Sequence, residues 1–404
     1  MSSDKHNGKT AWGDRTTAIH AGENPDPETG ASAPNIVMST TFAVDRVMGF
    51  SVNDMEEDPP YIYTRWSNPT TRQLEQKLAA LEHGEDAICF ASGMAASSAV
   101  MLSTLSAGDH LVVSDTNYAG TAELVRHTLP RFGIEISAVD TSDADAVAAV
   151  IRPETRLVWV ETPANPILRL SDIAEIAKIT HDAGAKLAVD STFASPVATQ
   201  PVSLGADYVV HSLTKYIGGH GDALGGAVIG SKADIAALNV EAGIHHGGTI
   251  SPFNAWLIMR GAATLPIRMR VHEENALAVS AFLESHPKVK KVLYPGLPSH
   301  PQYDLAKRQM ANFSGMIAFQ VDDGPSIAER MMSDLKIIHY AVSLGHHRSL
   351  IYWIGTDDIL SSTYELGDKA AKSYRSFAGN GIFRFSIGLE NPEDLCRDLD
   401  SVLS

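Results

Sequence analysis

Between residues 68 and 256 the chain alternates short unbroken apolar runs with stretches whose apolar residues recur every three or four positions. The first kind reads as strands buried on both faces, the second as amphipathic helices. Strands are expected at 87–91, 110–114, 134–139, 157–161, 187–190, 208–211 and 227–229. Asn68-Pro69 supplies an N-cap and a first-turn proline for a helix that places Leu74, Leu78 and Leu81 on one face and ends before Gly84. Further helix starts are read at Ser142, three residues before Asp145, and at Ser171-Asp172, ahead of Ile173, Ile176, Ala177 and Ile179. This alternation predicts an α/β fold: a mostly parallel sheet of seven strands with helices on both faces.

The pattern changes at both ends. Residues 1–67 hold few periodic segments and many turn-formers, among them Pro25, Pro27, Gly30, Pro34, Pro59 and Pro60, so they read as an extended arm lying on another surface. Beyond 256, Arg260, Arg268 and Arg270 fall along one expected helix, and a Pro/Gly/His-rich connection follows at 294–301. Strands at 316–321 and 382–387 then complete a smaller α+β domain. The expected division is an arm at 1–67, a ligand-binding domain at 68–256 and a C-terminal domain at 257–404.

A chain of 404 residues, 44% hydrophobic and 20% charged, has the balance of a globular protein large enough for two domains. Its formal net charge of -16 opposes nucleic acid and anionic membrane as partners, since both demand a basic surface. No window approaches the roughly 18 apolar residues of a membrane span, and no apolar stretch follows the N-terminal charges. With only two cysteines, Cys89 and Cys396, a reducing, cytoplasmic location is expected. No metal is expected either. The pairs His245-His246 and His346-His347 are adjacent in sequence, where two side chains rarely aim at one ion, and no carboxylate completes a ligand spacing.

The candidate chemistry begins at Lys215, which follows the apolar run at 208–211 and precedes Gly218-Gly219, and at Asp190, which ends another such run 25 positions upstream. A buried lysine able to form a Schiff base, with a carboxylate to hold a pyridinium proton, is what pyridoxal 5′-phosphate requires. In parallel sheets ligands bind beyond the carboxyl ends of the strands. Ser92-Gly93-Met94, residues 114–118 and 161–165, Asp190 to Thr192 and Ser212 to Lys215 all follow predicted strands and are expected to converge there. Gly93 at a helix start suits a phosphate, with Ser212 and Thr214 as hydroxyl donors. Tyr118 can lie flat on the cofactor ring, and Arg384 can grip a substrate α-carboxylate with both guanidinium nitrogens. A nicotinamide dehydrogenase is disfavoured because no Gly-x-Gly-x-x-Gly follows the first strand. A silent binding protein is disfavoured by the presence of Lys215, Asp190, Tyr118 and Arg384 together.

Four segments, Tyr61 to Thr70, Glu161-Thr-Pro-Ala-Asn-Pro166, Val189-Asp-Ser-Thr-Phe193 and His211-Ser-Leu-Thr-Lys-Tyr216, together resemble the Cys/Met-metabolism family of pyridoxal phosphate enzymes. The resemblance runs from Ala33-Pro-Asn-Ile to Gly388-Leu-Glu390 and implies the fold type I of pyridoxal phosphate-dependent transferases. It implies that Lys215 carries the cofactor and later moves protons, that Asp190 pairs with the pyridinium, and that Tyr118 stacks on the ring and assists the leaving group. Tyr63 and Arg65 would reach the phosphate of a neighbouring subunit, joining Ser92, Gly93, Met94, Thr192, Ser212 and Thr214. Asn165 would touch the ring hydroxyl or the substrate carboxylate, which Arg384 and the Ser343 region would hold. A dimer would be the minimal catalytic unit and a homotetramer the usual assembly.

The implied reaction is γ-elimination or γ-replacement on a γ-substituted L-amino acid. Departures from the family narrow it. Gly120 stands where methionine γ-lyases carry a cysteine, and Arg348 where cystathionine γ-lyases carry a glutamate. The segment 351–359 replaces the His-Pro-Ala run of sulfhydrylases. Tyr352, Trp353, Asp357 and Asp358 there suggest a pocket for a cationic or polar γ-substituent, as in canavanine, with Arg348 at its edge. O-acylhomoserine sulfhydrylase, cystathionine γ-synthase and cystathionine β-lyase chemistry remain the alternatives.

Overall fold

A computed structural model describes residues 12–49, 51–52 and 59–404. Its larger sheet consists of β1 (Asp86–Phe90), β2 (His110–Ser114), β3 (Glu135–Val139), β4 (Thr155–Glu161), β5 (Lys186–Asp190), β6 (Tyr208–Ser212) and β7 (Gly226–Gly230). The order is β1-β7-β6-β5-β4-β2-β3. β7 runs antiparallel to both its neighbours, and the other pairings are parallel. The unbroken apolar runs have a direct cause here. Val112, Val158, Val160, Leu187, Val189 and Val209 pack into one core. Their alternating neighbours Leu111, Val113, Leu157, Trp159, Ala188 and Val210 pack into another on the opposite face.

Caps set the helix starts. Asn68 Oδ1 accepts from Thr70 N at 2.9 Å and opens the helix Pro69–Glu82. Asp172 caps Ile173–Asp182 through Glu175 N. The start expected at Ser142 is displaced by one residue: the helix is Ala144–Val150, and Asp143 caps it by accepting from Ala146 N, while Ser142 turns its hydroxyl to Asp140.

The arm, of which residues 1–11, 50 and 53–58 lie outside the described part, is not wholly extended, since Asp14–His20 is a helix. It is fastened to its own chain. Buried Lys77 donates to the carbonyls of Ala18 and Ile19 and pairs with Glu23 at 2.9 Å. Thr70 Oγ1 accepts from Val37 N, Asn68 Nδ2 donates to Val37 O, and Trp256 Nε1 donates to Pro34 O.

The single helix expected through Arg260, Arg268 and Arg270 is two helices, Pro252–Ala262 and Leu265–Ser285. Pro266 in the first turn of the second has no N–H with which to continue the first. The former helix runs across position 256. Arg268 turns inward and donates to the carbonyls of Tyr216, Ile217 and Gly261 at 2.7, 3.1 and 2.9 Å, pinning the segment that follows Lys215.

The second sheet holds β8 (Val289–Leu293), β9 (Met316–Val321), β10 (His339–Tyr340), β11 (Leu350–Gly355) and β12 (Gly381–Ser386), in the order β10-β11-β12-β9-β8. One face packs Phe319, Phe383, Phe385 and Ile351 against Leu395, Leu399 and Leu403 of the last helix. Among the described residues no helix is long and apolar enough to cross a membrane.

Candidate active site

A cavity of about 820 Å³ opens at the carboxyl ends of the parallel strands and is closed on its far side by the C-terminal sheet. Twelve of the residues expected at the site line it: Ser92, Gly93, Met94, Tyr118, Asn165, Asp190, Thr192, Ser212, Thr214, Lys215, Ser343 and Arg384.

Asp190 ends β5 with its Oδ1 accepting from Thr192 N at 3.0 Å and Thr192 Oγ1 at 2.6 Å. Its Oδ2 has no partner among the described residues, so an acceptor remains for a pyridinium N–H. Burial raises the Asp190 pKa above the usual carboxylate range, and the Thr192 donors offset part of that rise. Thr192 Oγ1 also accepts from Ser212 N at 2.9 Å, tying the ends of β5 and β6 together.

Lys215 follows β6 and is held by Ser343, whose Oγ accepts from Nζ at 2.8 Å. Burial, then the Arg384 cation, lowers its pKa to about 8. The amine is thereby made available for imine chemistry near neutral pH.

At the other end Ser92 caps the helix Gly93–Thr104, its Oγ accepting from Ala95 N at 3.1 Å. A Cβ on Gly93 would stand 2.8 Å from Ser212 Cβ, and one on Gly226 would stand 2.1 Å from Ser92 O. Only glycine permits β6 and β7 to press so closely on this turn. The first-turn residues Gly93 and Met94, with Ser212 and Thr214 opposite, form a donor cradle at a helix N-terminus that suits a phosphate. A carboxylate with a free oxygen, a lysine of lowered pKa and this cradle share one cavity, and the three fit the ring nitrogen, aldehyde and phosphate of pyridoxal phosphate.

On the substrate side Arg384 of β12 donates to Asn165 Oδ1 at 3.1 Å and to Ser343 O at 3.3 Å. Burial holds the guanidinium below its ordinary pKa. Tyr352 lies directly opposite Arg384 in the β11–β12 register and so shares its face. Trp353 does not: alternation turns it to the other face, where its ring lies 5.0 Å from Phe383 and packs where Gly324 and Gly381 leave room. Its indole packs against the core on that side, while the residue also contributes to the cavity lining. Asp358 lines the cavity, and its carboxylate has no partner among the described residues. Asp357 points away and pairs with Arg375 in solvent.

Besides Asp357, three expected residues lie outside the cavity lining. Arg348 is exposed on the loop between β10 and β11. Tyr63 and Arg65 sit on the arm, the guanidinium 5.5 Å above the tyrosine ring and donating to Ile244 O.

Sequence reasoning placed Glu161 at the site but gave it no role. It ends β4 in register with Asp190. Oε2 accepts from Tyr118 N at 2.6 Å and Oε1 from Asn165 N at 2.9 Å, so one buried carboxylate orients both the tyrosine and the partner of Arg384. Burial, reinforced by the Asp190 charge, pushes its pKa well above the usual value. The available signal was that Glu161 ends an apolar run just as Asp190 does. Tyr364 was missed; its hydroxyl bridges the carbonyls of Asn117 and Asn165 at 2.7 and 3.0 Å.

Fold and site together fit an α/β enzyme that uses an aldehyde cofactor. The chain belongs to the Cys/Met metabolism PLP-dependent enzyme family, whose model matches residues 15–404. Its relatives include a canavanine gamma-lyase of Rhizobium leguminosarum bv. trifolii (strain WSM2304), 44% identical over 99% of this chain and 98% of that one. A cystathionine gamma-synthase of Mycobacterium tuberculosis (strain ATCC 25618 / H37Rv) is 42% identical over 100% of both chains. Among solved structures, metB from Corynebacterium glutamicum superposes with a TM-score of 0.87 at 40% identity, covering 97% of this chain and 98% of that one. The protein is thus a pyridoxal phosphate-dependent enzyme of the carbon–heteroatom lyase and transferase kind.

Proposed function

We propose that this enzyme catalyses γ-elimination on an L-amino acid with a cationic γ-substituent, canavanine being the type substrate. The observation that carries this reading is the unpartnered carboxylate of Asp358 on the cavity wall, on the side bounded by the Tyr352 ring. A guanidinium-type group finds there a carboxylate fork and an aromatic face. The canavanine gamma-lyase relative supports it.

Lys215, Asp190, Ser92, Gly93, Met94, Thr192, Ser212 and Thr214 would hold pyridoxal phosphate, which when bound draws electron density from the substrate α-carbon. Asp190 would offer its free carboxylate oxygen to the ring nitrogen. Arg384, steadied by Asn165 and Ser343, holds the α-carboxylate. The free Lys215 amine would take up the α-proton, and its lowered pKa would let it release that proton again near neutrality. Tyr118, at the cavity edge, would lie against the cofactor ring, and its hydroxyl would be placed to protonate the departing group.

A screen of γ- and β-substituted amino acids, with 2-oxo acid, ammonia and homoserine quantified, tests this. Turnover of canavanine without turnover of methionine is the expected result, and preference for methionine refutes it. A second reading, γ-replacement, draws on the cystathionine gamma-synthase relative. Product incorporating an added thiol, at the expense of 2-oxo acid, would establish it instead; turnover of only β-substituted substrates would establish β-lyase chemistry.

The same proposal extends to assembly. Tyr63 and Arg65 lie outside their own chain's cavity and complete the phosphate end of a neighbour's, making the dimer the working unit and a homotetramer in the cytoplasm the full enzyme. The arm then ends near residue 67, and the cofactor-binding and C-terminal domains are joined through the helix Pro252–Ala262 rather than at a break at 256. Mixing inactive Arg65→Ala and Lys215→Ala chains should restore activity in hybrid dimers, each of which retains one intact shared site. Sedimentation at a monomer's mass would refute the assembly.

A further inference from the structure

Lys215 is also the inner end of a hydrogen-bonded chain that the reaction above does not use. Its Nζ donates to Ser343 Oγ at 2.8 Å, and Ser343 Oγ lies 3.3 Å from His346 Nε2. The turn that brings residues 343 and 346 together has Ser343 at φ 94 and Gly345 at φ 71, both left-handed. Behind the imidazole lies the glycine loop after Lys215. A Cβ on Gly221 would stand 2.6 Å from His346 Cε1, so a glycine is what lets the ring sit there.

The charged and titratable groups around the ring are Lys215, Asp222 of the glycine loop and His347 beside it. His220 packs on His347 with centroids 5.6 Å apart, and Arg384 reaches the Ser343 carbonyl. Burial, then Lys215 and His347, holds His346 below the ordinary histidine pKa, while Asp222 opposes them. At neutral pH the ring is therefore uncharged, and its Nε2 can accept the Ser343 O–H. Donors and acceptors then run one way, from amine to hydroxyl to ring nitrogen.

We propose that Lys215, Ser343 and His346 form a proton relay from the reaction cavity to solvent. A proton on Nζ passes to Ser343 Oγ as the hydroxyl proton passes to His346 Nε2, and the ring releases its Nδ1 proton to water. One proton enters and one leaves, and nothing is oxidised or reduced. His346 acts through Ser343 and touches no reacting atom. Its use is to discharge a lysine that has taken up a substrate proton without opening the cavity. The inference rests on the reading of Lys215 as the cofactor lysine. Failure of that reading is seen separately, as a borohydride-trapped adduct on another residue.

The test has two arms. In apoprotein, the His346 ring is titrated by nuclear magnetic resonance with and without Lys215→Met. The wild-type ring is expected to titrate below an ordinary histidine and to rise toward it in the variant, while identical titrations overturn the proposal. In holoenzyme, His346→Ala should lower kcat about tenfold, less than the ~10²–10⁴ of a direct acid or base, with KM within about twofold. Free imidazole should restore kcat in proportion to its neutral form. A kcat within twofold of wild type in His346→Ala, full recovery in His346→Gln, which keeps the shape but carries no proton, or absence of imidazole rescue overturns the relay.

Discussion

The sheet side of the cavity and its C-terminal side differ in how each functional group is held. On the sheet side Asp190 and Glu161 end neighbouring strands, are buried, and each accepts two hydrogen bonds that fix its direction. On the C-terminal side Tyr352 and Asp358 are exposed, and the Asp358 carboxylate has no partner among the described residues. The difference separates reaction from selection. Groups that must be exact in position and charge stand on buried strand ends. Groups that choose among substrates face solvent, where a substitution leaves no buried polar atom unpaired.

The comparison can be broken most severely at Lys215. Lys215→Ala should remove turnover by about four orders of magnitude or more, measured as 2-oxo acid and ammonia release; activity near wild type would overturn the sheet side as the reacting side. Asp190→Asn should keep a bound chromophore yet lower kcat about 10²-fold, since one preorganised charge is lost.

A smaller effect follows from acidity. Lys215 has its pKa lowered to about 8, so its amine is mostly neutral above that pH and protonated below it. The rate at which apoprotein captures pyridoxal phosphate should be flat above about pH 8 and fall about tenfold per unit below it. A fall beginning near 10, as for an exposed lysine, would contradict the burial argument. The gentlest probe is Asp358→Asn. An exposed ion pair is worth under about 1 kcal/mol, so kcat/KM for canavanine should drop only about threefold to fivefold, with neutral substrates unchanged. A loss for both kinds of substrate would place Asp358 on the reacting side after all.

The legibility of the sequence follows the same division. All seven strands of the larger sheet lie within two residues of their expected ends, because burial on both faces leaves the inner ones continuous apolar runs; β3, at the edge, is only partly buried. The C-terminal sheet was harder. β8 carries Lys290 and Lys291 and lies near the rim, so its run is broken. β11 begins as Leu350-Ile351, and its polar and aromatic residues were read as one pocket wall, although strand alternation sends Tyr352 and Trp353 to opposite faces. Arg348 was expected by analogy of position, whereas its loop carries it to the surface. The role of Glu161 stayed hidden because its partners are main-chain amides of Tyr118 and Asn165, contacts that no side-chain motif announces.

One consequence concerns the order in which the protein is made. Every residue of its own chain assigned to the cofactor precedes the end of β7 at Gly230, and β7 is the strand that joins β1 to β6. The proposed carboxylate clamp, by contrast, waits for Ser343 and Arg384 near the end of the chain. A polypeptide emerging from the ribosome thus has its vitamin berth spelled out well before its substrate grip, and binding the vitamin early would give the half-made chain a template on which the later part can settle.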